Sequence, residues 1–131
     1  MQQFDYERLD VYGVAIDFVI AADAIAARAT RGQGHGDLAD QLRRASTSIL
    51  LNLAEGAGEF ASLEKARFYR MSKRSATECA ALVEVYRRLA LIDAEAADRA
   101  RGTLLRIVSM LVKLVLTTES GDRRASSGGY A

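Results

Sequence analysis

The chain contains no proline and no tryptophan, and only one cysteine and one histidine among its 131 residues. Because proline is the commonest helix breaker, its absence permits long uninterrupted helices. The single cysteine, Cys79, excludes an internal disulfide and a cysteine-rich zinc site. The single histidine, His35, excludes metal sites that require two histidines. A chain of this length needs no such bridge, since it is long enough to bury a substantial apolar core.

Neither sign of charge dominates the composition. Lys and Arg number 18 against 17 Asp and Glu, a net charge of +1, which argues against a polycation that coats nucleic acid over its whole surface. The most apolar stretch, Leu104 to Leu116, is interrupted by Arg106 and Lys113 and is shorter than the ~20 apolar residues of a membrane span. The first ten residues carry acids where an export signal requires a basic start and an apolar run. We expect a cytoplasmic protein that does not contact a membrane.

Apolar residues at three- and four-residue spacing predict an all-α protein with four helices. The predicted helices run from about Glu7 to Ala29, Asp37 to Gly56, Ser62 to Leu91 and Asp93 to Thr118. Three glycines between Thr30 and Gly36 predict the first loop, and Ser62 and Asp93 are the expected N-caps of the last two helices. Short links between long helices favour an antiparallel up-down-up-down four-helix bundle over residues 1–118. Residues 119–131, rich in Ser and Gly, are expected to form a flexible tail.

Two of the predicted helices are apolar on more than one face. The expected core stripe of the first helix is Leu9, Tyr12, Ile16, Val19 and Ala22, and beside it lie Val11, Val14, Phe18, Ile20 and Ile25. The expected core stripes include Leu42, Ile49 and Leu53 in the second helix, Leu63, Val85 and Leu89 in the third, and Leu104, Ile107 and Leu111 in the fourth. The fourth helix also carries Leu105, Met110, Val112 and Leu116 beside its own stripe. A helix in a monomeric bundle needs an apolar stripe only about 100° wide. One reading is a broad stripe with scattered surface residues; the favoured reading is self-association into a homo-oligomer.

A row of polar residues follows one face of the second predicted helix at three- and four-residue steps. Its members are Gln41, Arg44, Ser48, Asn52 and Glu55. Since Ile49, Leu51 and Leu53 surround Asn52, that amide is expected to be partly buried and to need hydrogen-bond partners. The row is interpreted as a polar packing network within one subunit or between subunits. A small-molecule site and an ordinary solvated face are the alternatives.

Basic residues concentrate on the third predicted helix. Ser62 to Leu91 carries seven basic and three acidic residues, whereas the first 29 residues carry two basic and five acidic ones. The candidate nucleic-acid-binding residues are Lys65, Arg67, Arg70, Lys73 and Arg74. Phosphate backbones are the natural partner of such a patch, and a solvated face with an Arg74–Glu78 pair is the alternative. No RNA-reading motif accompanies the patch.

No arrangement of residues in the sequence indicates an enzyme. Cys79 lacks a basic neighbour and is expected to be a buried structural thiol, and His35 is expected to be exposed in its glycine-rich loop. The glycines at 32, 34 and 36 lack the preceding strand and the lysine of a phosphate-binding loop. We therefore expect no catalytic residue, metal or cofactor.

The run QLRRASTSILLNLAEGAGE, from Gln41 to Glu59, resembles the motif of the 23S ribosomal RNA intervening-sequence proteins, a four-helix-bundle family also called S23 ribosomal proteins. The matching positions are Arg44, Ser48, Ile49, Asn52, Ala54, Glu55 and Gly56. Two shorter matches are Phe4-x-x-x-x-Leu9-x-Val11-Tyr12 and Arg74-Ser-Ala-Thr-Glu78. The chain departs from the family at Leu50, Glu59 and Arg74, where proline, a basic residue and glycine are frequent.

This resemblance extends from about Phe4 to Thr118. It implies a small antiparallel four-helix bundle that assembles as a ring-like homopentamer. It also implies contact with RNA or DNA, since some members are encoded within ribosomal RNA genes and related bundles accompany reverse transcriptases. A protein–protein scaffold or accessory subunit without nucleic-acid contact is the alternative function.

Overall fold

The computed structural model describes residues 2–30 and 34–128, with side chains described as far as Gly121. A short 3-10 turn, Asp5–Arg8, precedes four helices: α1 Asp10–Thr30, α2 Gly36–Gly58, α3 Ser62–Arg88 and α4 Ala94–Gly128. No strand occurs within these described ranges. The predicted all-α class and the predicted number of helices are confirmed. No helix in the described part of the chain is long and apolar enough to cross a membrane.

Some helix ends lie where the sequence predicts them, and others do not. Asp93 caps α4 as predicted, because its carboxylate accepts a hydrogen bond from the Ala96 amide at 2.7 Å. Ser62 was wrongly predicted as the N-cap of α3: the cap is Ala61, with extended backbone, and Ser62 is already helical. The fourth helix continues ten residues past Thr118, so the segment expected as a flexible tail begins as helix, and residues 129–131 lie outside the described ones.

The four helices enclose one apolar core. Helix α1 packs on α2 and α4, and α3 packs on the same two helices, so the order around the core is α1, α2, α3, α4. Residue numbers rise along α2 while those of the contacting α3 residues fall: Ser48 meets Ser75, and Gly56 lies against Tyr69. Helices α3 and α4 are linked by an ion pair between Arg70 and Glu119.

The core stripe of α1 differs from the predicted one. Helix α1 buries Val11, Ala15, Phe18, Ala22, Ala26 and Ala29. Leu9, Tyr12, Ile16 and Val19 are only half-buried at the margin of the core. Because α1 is apolar on both faces, periodicity could not select between the two stripes; the alanine-rich one faces inward, where small side chains let helices approach closely.

In the other helices the predicted core is confirmed in α2 and α4 but only partly in α3. Leu42, Ile49 and Leu53 of α2 are buried, as are Leu104, Ile107 and Leu111 of α4. Of the core residues predicted for the third helix, Leu63 and Val85 of α3 and Leu89 directly after it are exposed instead. The positions that face the core there are Ala66, Tyr69, Ser72, Ser75, Ala76, Cys79, Leu82, Val83 and Tyr86. Ser72 and Ser75 among them were missed because serine carries no hydrophobic signal.

Candidate functional site

Two members of the polar row on α2, Ser48 and Asn52, take part in a chain of hydrogen bonds that reaches α3. Asn52 is half-buried, and its Nδ2 donates to the carbonyl oxygen of Ser48 at 2.9 Å and to the Ser48 hydroxyl at 3.0 Å. The Ser48 hydroxyl in turn lies 2.9 Å from the hydroxyl of Ser75 on α3. Since buried polar groups cost free energy unless they find partners, this chain of bonds gives each of the three side chains a hydrogen-bond partner within one subunit.

The outer members of the row are arranged differently. Gln41, Arg44 and Glu55 are exposed, and within the described residues they make no ion pair. Glu55 borders a cleft of about 290 Å³ with Phe4 and Tyr6, whose rings stack at 5.7 Å between centroids. The predicted row therefore divides into two sets. Ser48 and Asn52 form the hydrogen bonds at the contact between α2 and α3, whereas Gln41, Arg44 and Glu55 are exposed.

The α2–α3 contact contains further polar bonds that the sequence reading missed. The Ser72 hydroxyl, fully buried, donates to the carbonyl oxygen of Ile49 at 2.7 Å. One end of the contact is so close that a Cβ on Gly56 would lie 2.8 Å from the Tyr69 ring. The signal that could have shown this contact is the series of small residues in α3 at helical spacing, Ser72, Ser75, Ala76 and Cys79.

Four of the five candidate binding residues on α3 share one exposed region. Arg67, Arg70, Lys73 and Arg74 are exposed, and we call these four residues the α3 basic face. Lys65 is separate from them: its Nζ donates to the carbonyl oxygens of Gly56 at 3.1 Å and Ala57 at 2.8 Å. Since the last carbonyls of a helix lack intrahelical partners, Lys65 caps the end of α2.

The two halves of the α3 basic face differ in their partners. Arg67 donates to Glu64 at 3.0 Å and stacks over the Phe68 ring at 4.7 Å, and the bonded carboxylate raises the pKa of its guanidinium. Arg70 pairs with Glu119 of α4. Within the described residues Lys73 and Arg74 make no ion pair, and the alternative Arg74–Glu78 pair does not form. Because exposed ion pairs contribute only ~0–1 kcal/mol, Arg67 and Arg70 can exchange their carboxylates for other anions.

The two residues considered for nucleophilic or metal chemistry occupy unremarkable positions. Cys79 is buried, as predicted, and desolvation together with the neighbouring Glu78 raises the pKa of its thiol to about 12. His35 lies directly before α2, is half-buried rather than exposed, and its backbone amide donates to Ala29 at 3.2 Å. Across the described ranges no group of three metal-ligating side chains is found.

Comparison with known proteins places the chain in a family. The family model described as 23S rRNA-intervening sequence protein matches residues 7–113. A crystal structure of a protein of unknown function from the S23 ribosomal protein family of Bacteroides thetaiotaomicron superposes with a TM-score of 0.76 at 17% sequence identity. That match covers 80% of this chain and 97% of the other. No curated protein sequence matches the chain. The resemblance carried by Gln41 to Glu59 is thus confirmed, and the chain belongs to the 23S rRNA-intervening sequence protein family.

Proposed function

We propose that this protein is a non-enzymatic helical bundle that assembles with copies of itself and binds structured RNA or another nucleic acid through the α3 basic face. The observation that carries the proposal is the clustering of Arg67, Arg70, Lys73 and Arg74 in one exposed region of one helix. Helix α3 has seven basic and three acidic residues, a net charge of +4 in a chain whose total is +1. Such a field attracts a phosphate backbone without requiring the whole protein to be basic.

The chemistry of the basic face suits phosphate. Three of its four members are arginines, whose planar guanidinium donates two parallel hydrogen bonds to one phosphate. Arg67 lies over an aromatic ring, which orients its guanidinium at the surface. Each phosphate that the face neutralises should lower the slope of log affinity against log salt by about 0.7–0.9.

Binding of a fluorescent RNA hairpin, measured by anisotropy at several salt concentrations, tests this proposal. The test variant is Lys73→Glu with Arg74→Glu, since neither side chain holds an ion pair with another described residue that the substitution would break. The control is Arg28→Glu with Arg99→Glu, which makes the same change of charge beside the α1–α4 groove. We expect the test variant to bind at least tenfold more weakly, with a shallower salt slope, and the control to bind like the wild type. Equal losses in both variants, or no wild-type binding, would contradict the proposal.

The proposed architecture is an antiparallel up-down-up-down bundle. Three pairs support it: Asp23 with Arg43, Ser48 with Ser75, and Arg70 with Glu119. The α2–α3 contacts add Gly56 with Tyr69, so residue numbers rise along α2 as they fall along α3.

We also propose that copies of this bundle assemble into a ring-like homopentamer in the cytoplasm. Support comes from large apolar side chains left in solvent on the outer faces of the helices, among them Ile20, Leu51, Leu105 and Leu116. Exposed apolar patches in soluble proteins are usually interfaces, and most soluble oligomers are symmetric assemblies of one chain. The buried cysteine thiol, with its raised pKa, favours a non-enzymatic role.

A second candidate function is a protein scaffold, and the turn between α2 and α3 favours it. Phe60 is fully exposed there and Leu63 is 70% exposed, so the turn offers an aromatic and an aliphatic anchor to a partner. Pull-down after nuclease treatment, with Phe60→Ser as the control bait, tests this function. A partner that the wild type retains without nucleic acid and the Phe60→Ser bait loses would favour the scaffold. Capture that ends with nuclease treatment would favour the nucleic-acid role.

A further inference from the structure

A groove of about 370 Å³ lies between α1 and the start of α4. Its floor is apolar, because the buried side chains of Phe18, Ile92 and Ala100 line it. Ala21 and Ala24 of α1 also line it and are exposed. Since alanine side chains are too short to fill the space between two helices, the contact stays open here, and we call this opening the α1–α4 groove.

The α1–α4 groove has the size and the lining of a small-molecule site. Such sites enclose about 300–1,000 Å³ and combine apolar walls with a few polar groups. Along α1 the lining residues extend from Phe18 to Arg28, which is about 15 Å of helix. An alkyl chain of medium length, laid along this floor, would therefore contact protein over most of its length.

Basic residues border this apolar floor. Arg28 and Arg99 line the α1–α4 groove and are exposed, and no acidic side chain of the described residues lines it. Within the same residues Arg28 makes no ion pair. Arg99 pairs with Glu95 at 3.2 Å, but both side chains are largely exposed, so a second carboxylate can take the place of Glu95. The groove therefore presents two guanidinium groups to a molecule that lies on its floor.

An apolar floor beside guanidinium groups complements a molecule with an alkyl chain at one end and a carboxylate at the other. The bond between Arg99 and Glu95 shows that a carboxylate can reach this guanidinium. A guanidinium donates two parallel hydrogen bonds to one carboxylate, which fixes the head of such a ligand. Burial of the chain removes apolar surface from water, so the chain adds free energy of binding that the head alone lacks.

We propose that the α1–α4 groove binds an alkyl carboxylate, with the chain along Phe18 and Ile92 and the carboxylate bonded to Arg28 and Arg99. This site uses none of the four residues of the α3 basic face, so it goes beyond the proposed nucleic-acid binding and does not depend on it. Because a longer chain buries more apolar surface, affinity should rise by up to about fourfold for each added methylene until the chain covers the floor.

Isothermal titration calorimetry of the full chain with four probes tests the chemistry of the ligand. Decanoate should bind, and octanoate, which lacks two methylenes, should bind about 4–15-fold more weakly. Acetate, which has the head without the chain, should give no measurable binding. Decyltrimethylammonium, which has the same chain with a cationic head, should bind about tenfold or more weakly than decanoate. Equal binding of decanoate and decyltrimethylammonium would show that the apolar floor alone holds the chain, and would overturn the proposal.

Removing the two guanidinium groups tests the location of the carboxylate. In Arg28→Gln with Arg99→Gln, decanoate should bind about tenfold or more weakly, because its head loses both charged partners. The matched control is Arg44→Gln with Arg101→Gln, two exposed arginines that do not line the groove. All four positions are exposed, so both variants should keep the helical dichroism and thermal stability of the wild type.

Filling the groove tests the location of the chain. Ala21→Phe places a ring over the floor and should weaken decanoate binding about tenfold or more, because the ring occupies the space of several methylenes. Ala81→Phe is the control, since Ala81 is an exposed alanine of α3 away from the groove. Absence of decanoate binding in the wild type, or a loss in either test variant no larger than in its control, would overturn the proposal.

Discussion

The hydroxyl of Ser48 on α2 lies 2.9 Å from the hydroxyl of Ser75 on α3, and the amide of Asn52 donates to Ser48 one turn further along. The serine bond crosses the contact between the two helices beside the buried bond from Ser72 to Ile49, whereas the bonds from Asn52 stay within α2. Ser48, which lies in the family-matching segment, therefore helps to hold the two helices in register, and Asn52 acts on this contact only through its bond to Ser48.

The serine pair should be energetically coupled. A double-mutant cycle with Ser48→Ala and Ser75→Ala should give a coupling of about 0.5–1.5 kcal/mol in the free energy of unfolding, because the two hydroxyls bond to each other. Urea denaturation followed by circular dichroism measures it. The control cycle replaces Ser48→Ala by Thr47→Ala, whose hydroxyl bonds to Arg43 of its own helix and should not couple to Ser75. Coupling within error of zero in the serine cycle would contradict the account.

Glycine at position 56 should be required by the close approach of α3. In Gly56→Ala the new Cβ would lie 2.8 Å from Tyr69 Cε1 and 3.1 Å from Phe68 Cβ, so either the Tyr69 ring or the two helices must shift. We expect a loss of about 1–3 kcal/mol of stability, as for other overpacked sites. Gly102→Ala is the control, since nothing lies within 4 Å of a Cβ there and the helix should gain about 0.5–1 kcal/mol. If thermal melts show that both substitutions change the melting temperature in the same direction, this explanation is wrong.

The hydroxyl of Tyr86 should be dispensable for stability. Its side chain is fully buried, and the hydroxyl has no hydrogen-bond partner among the described residues. Removing an unsatisfied buried polar group relieves its desolvation cost, so Tyr86→Phe should leave the free energy of unfolding unchanged or raise it by up to about 1 kcal/mol. Tyr86→Leu should destabilise the protein, because the smaller side chain leaves a cavity. A marked loss of stability in Tyr86→Phe would show that the hydroxyl has a partner.

The ionised carboxylate of Glu84 should stabilise the folded protein, and this contribution to the free energy of unfolding should be lost in acid. Hydrogen bonds from Arg87 and Arg88, at 2.6 Å and 3.0 Å, lower the pKa of this carboxyl from 4.5 to about 2. A lowered folded-state pKa means that the contribution is present above pH 4.5 and is lost as the pH falls towards 2. Carboxyl NMR titration should find the Glu84 midpoint near 2 in the wild type, and a higher one in Arg87→Gln with Arg88→Gln. An unchanged midpoint in that variant would contradict the assignment.

The thiol of Cys79 should not react in the folded protein. It is buried, and its pKa is raised to about 12 by desolvation and by Glu78. Alkylation by iodoacetamide at pH 8, followed by mass spectrometry, should be negligible without denaturant and complete in 6 M guanidinium. Rapid labelling of the native protein would place the thiol at the surface instead.

The sequence predicts the helices well because the signals that define them are local. The glycines around Gly34, the aspartate cap at Asp93 and the apolar stripe of α2 all depend on near neighbours in the chain. The inward face of α1 could not be predicted, since two apolar stripes compete and only packing selects the one with Val11 and Phe18.

The sequence predicts which basic residues belong to the candidate site, but it does not predict which partners those residues contact. The charge of α3 is a property of the sequence, and Arg67, Arg70, Lys73 and Arg74 are exposed as expected. That Lys65 caps α2 depends on how the turn between the two helices folds back, which spacing within α3 does not encode. The pairing of Arg70 with Glu119 likewise depends on the distant end of α4.

The central claim is that the folded protein is an oligomer and not a monomer. Sedimentation equilibrium of the wild-type protein, over a wide range of concentration, measures its mass most directly. The account predicts a discrete species whose mass is near five times the chain mass of 14.2 kDa. A single species of 14.2 kDa at all concentrations would contradict it.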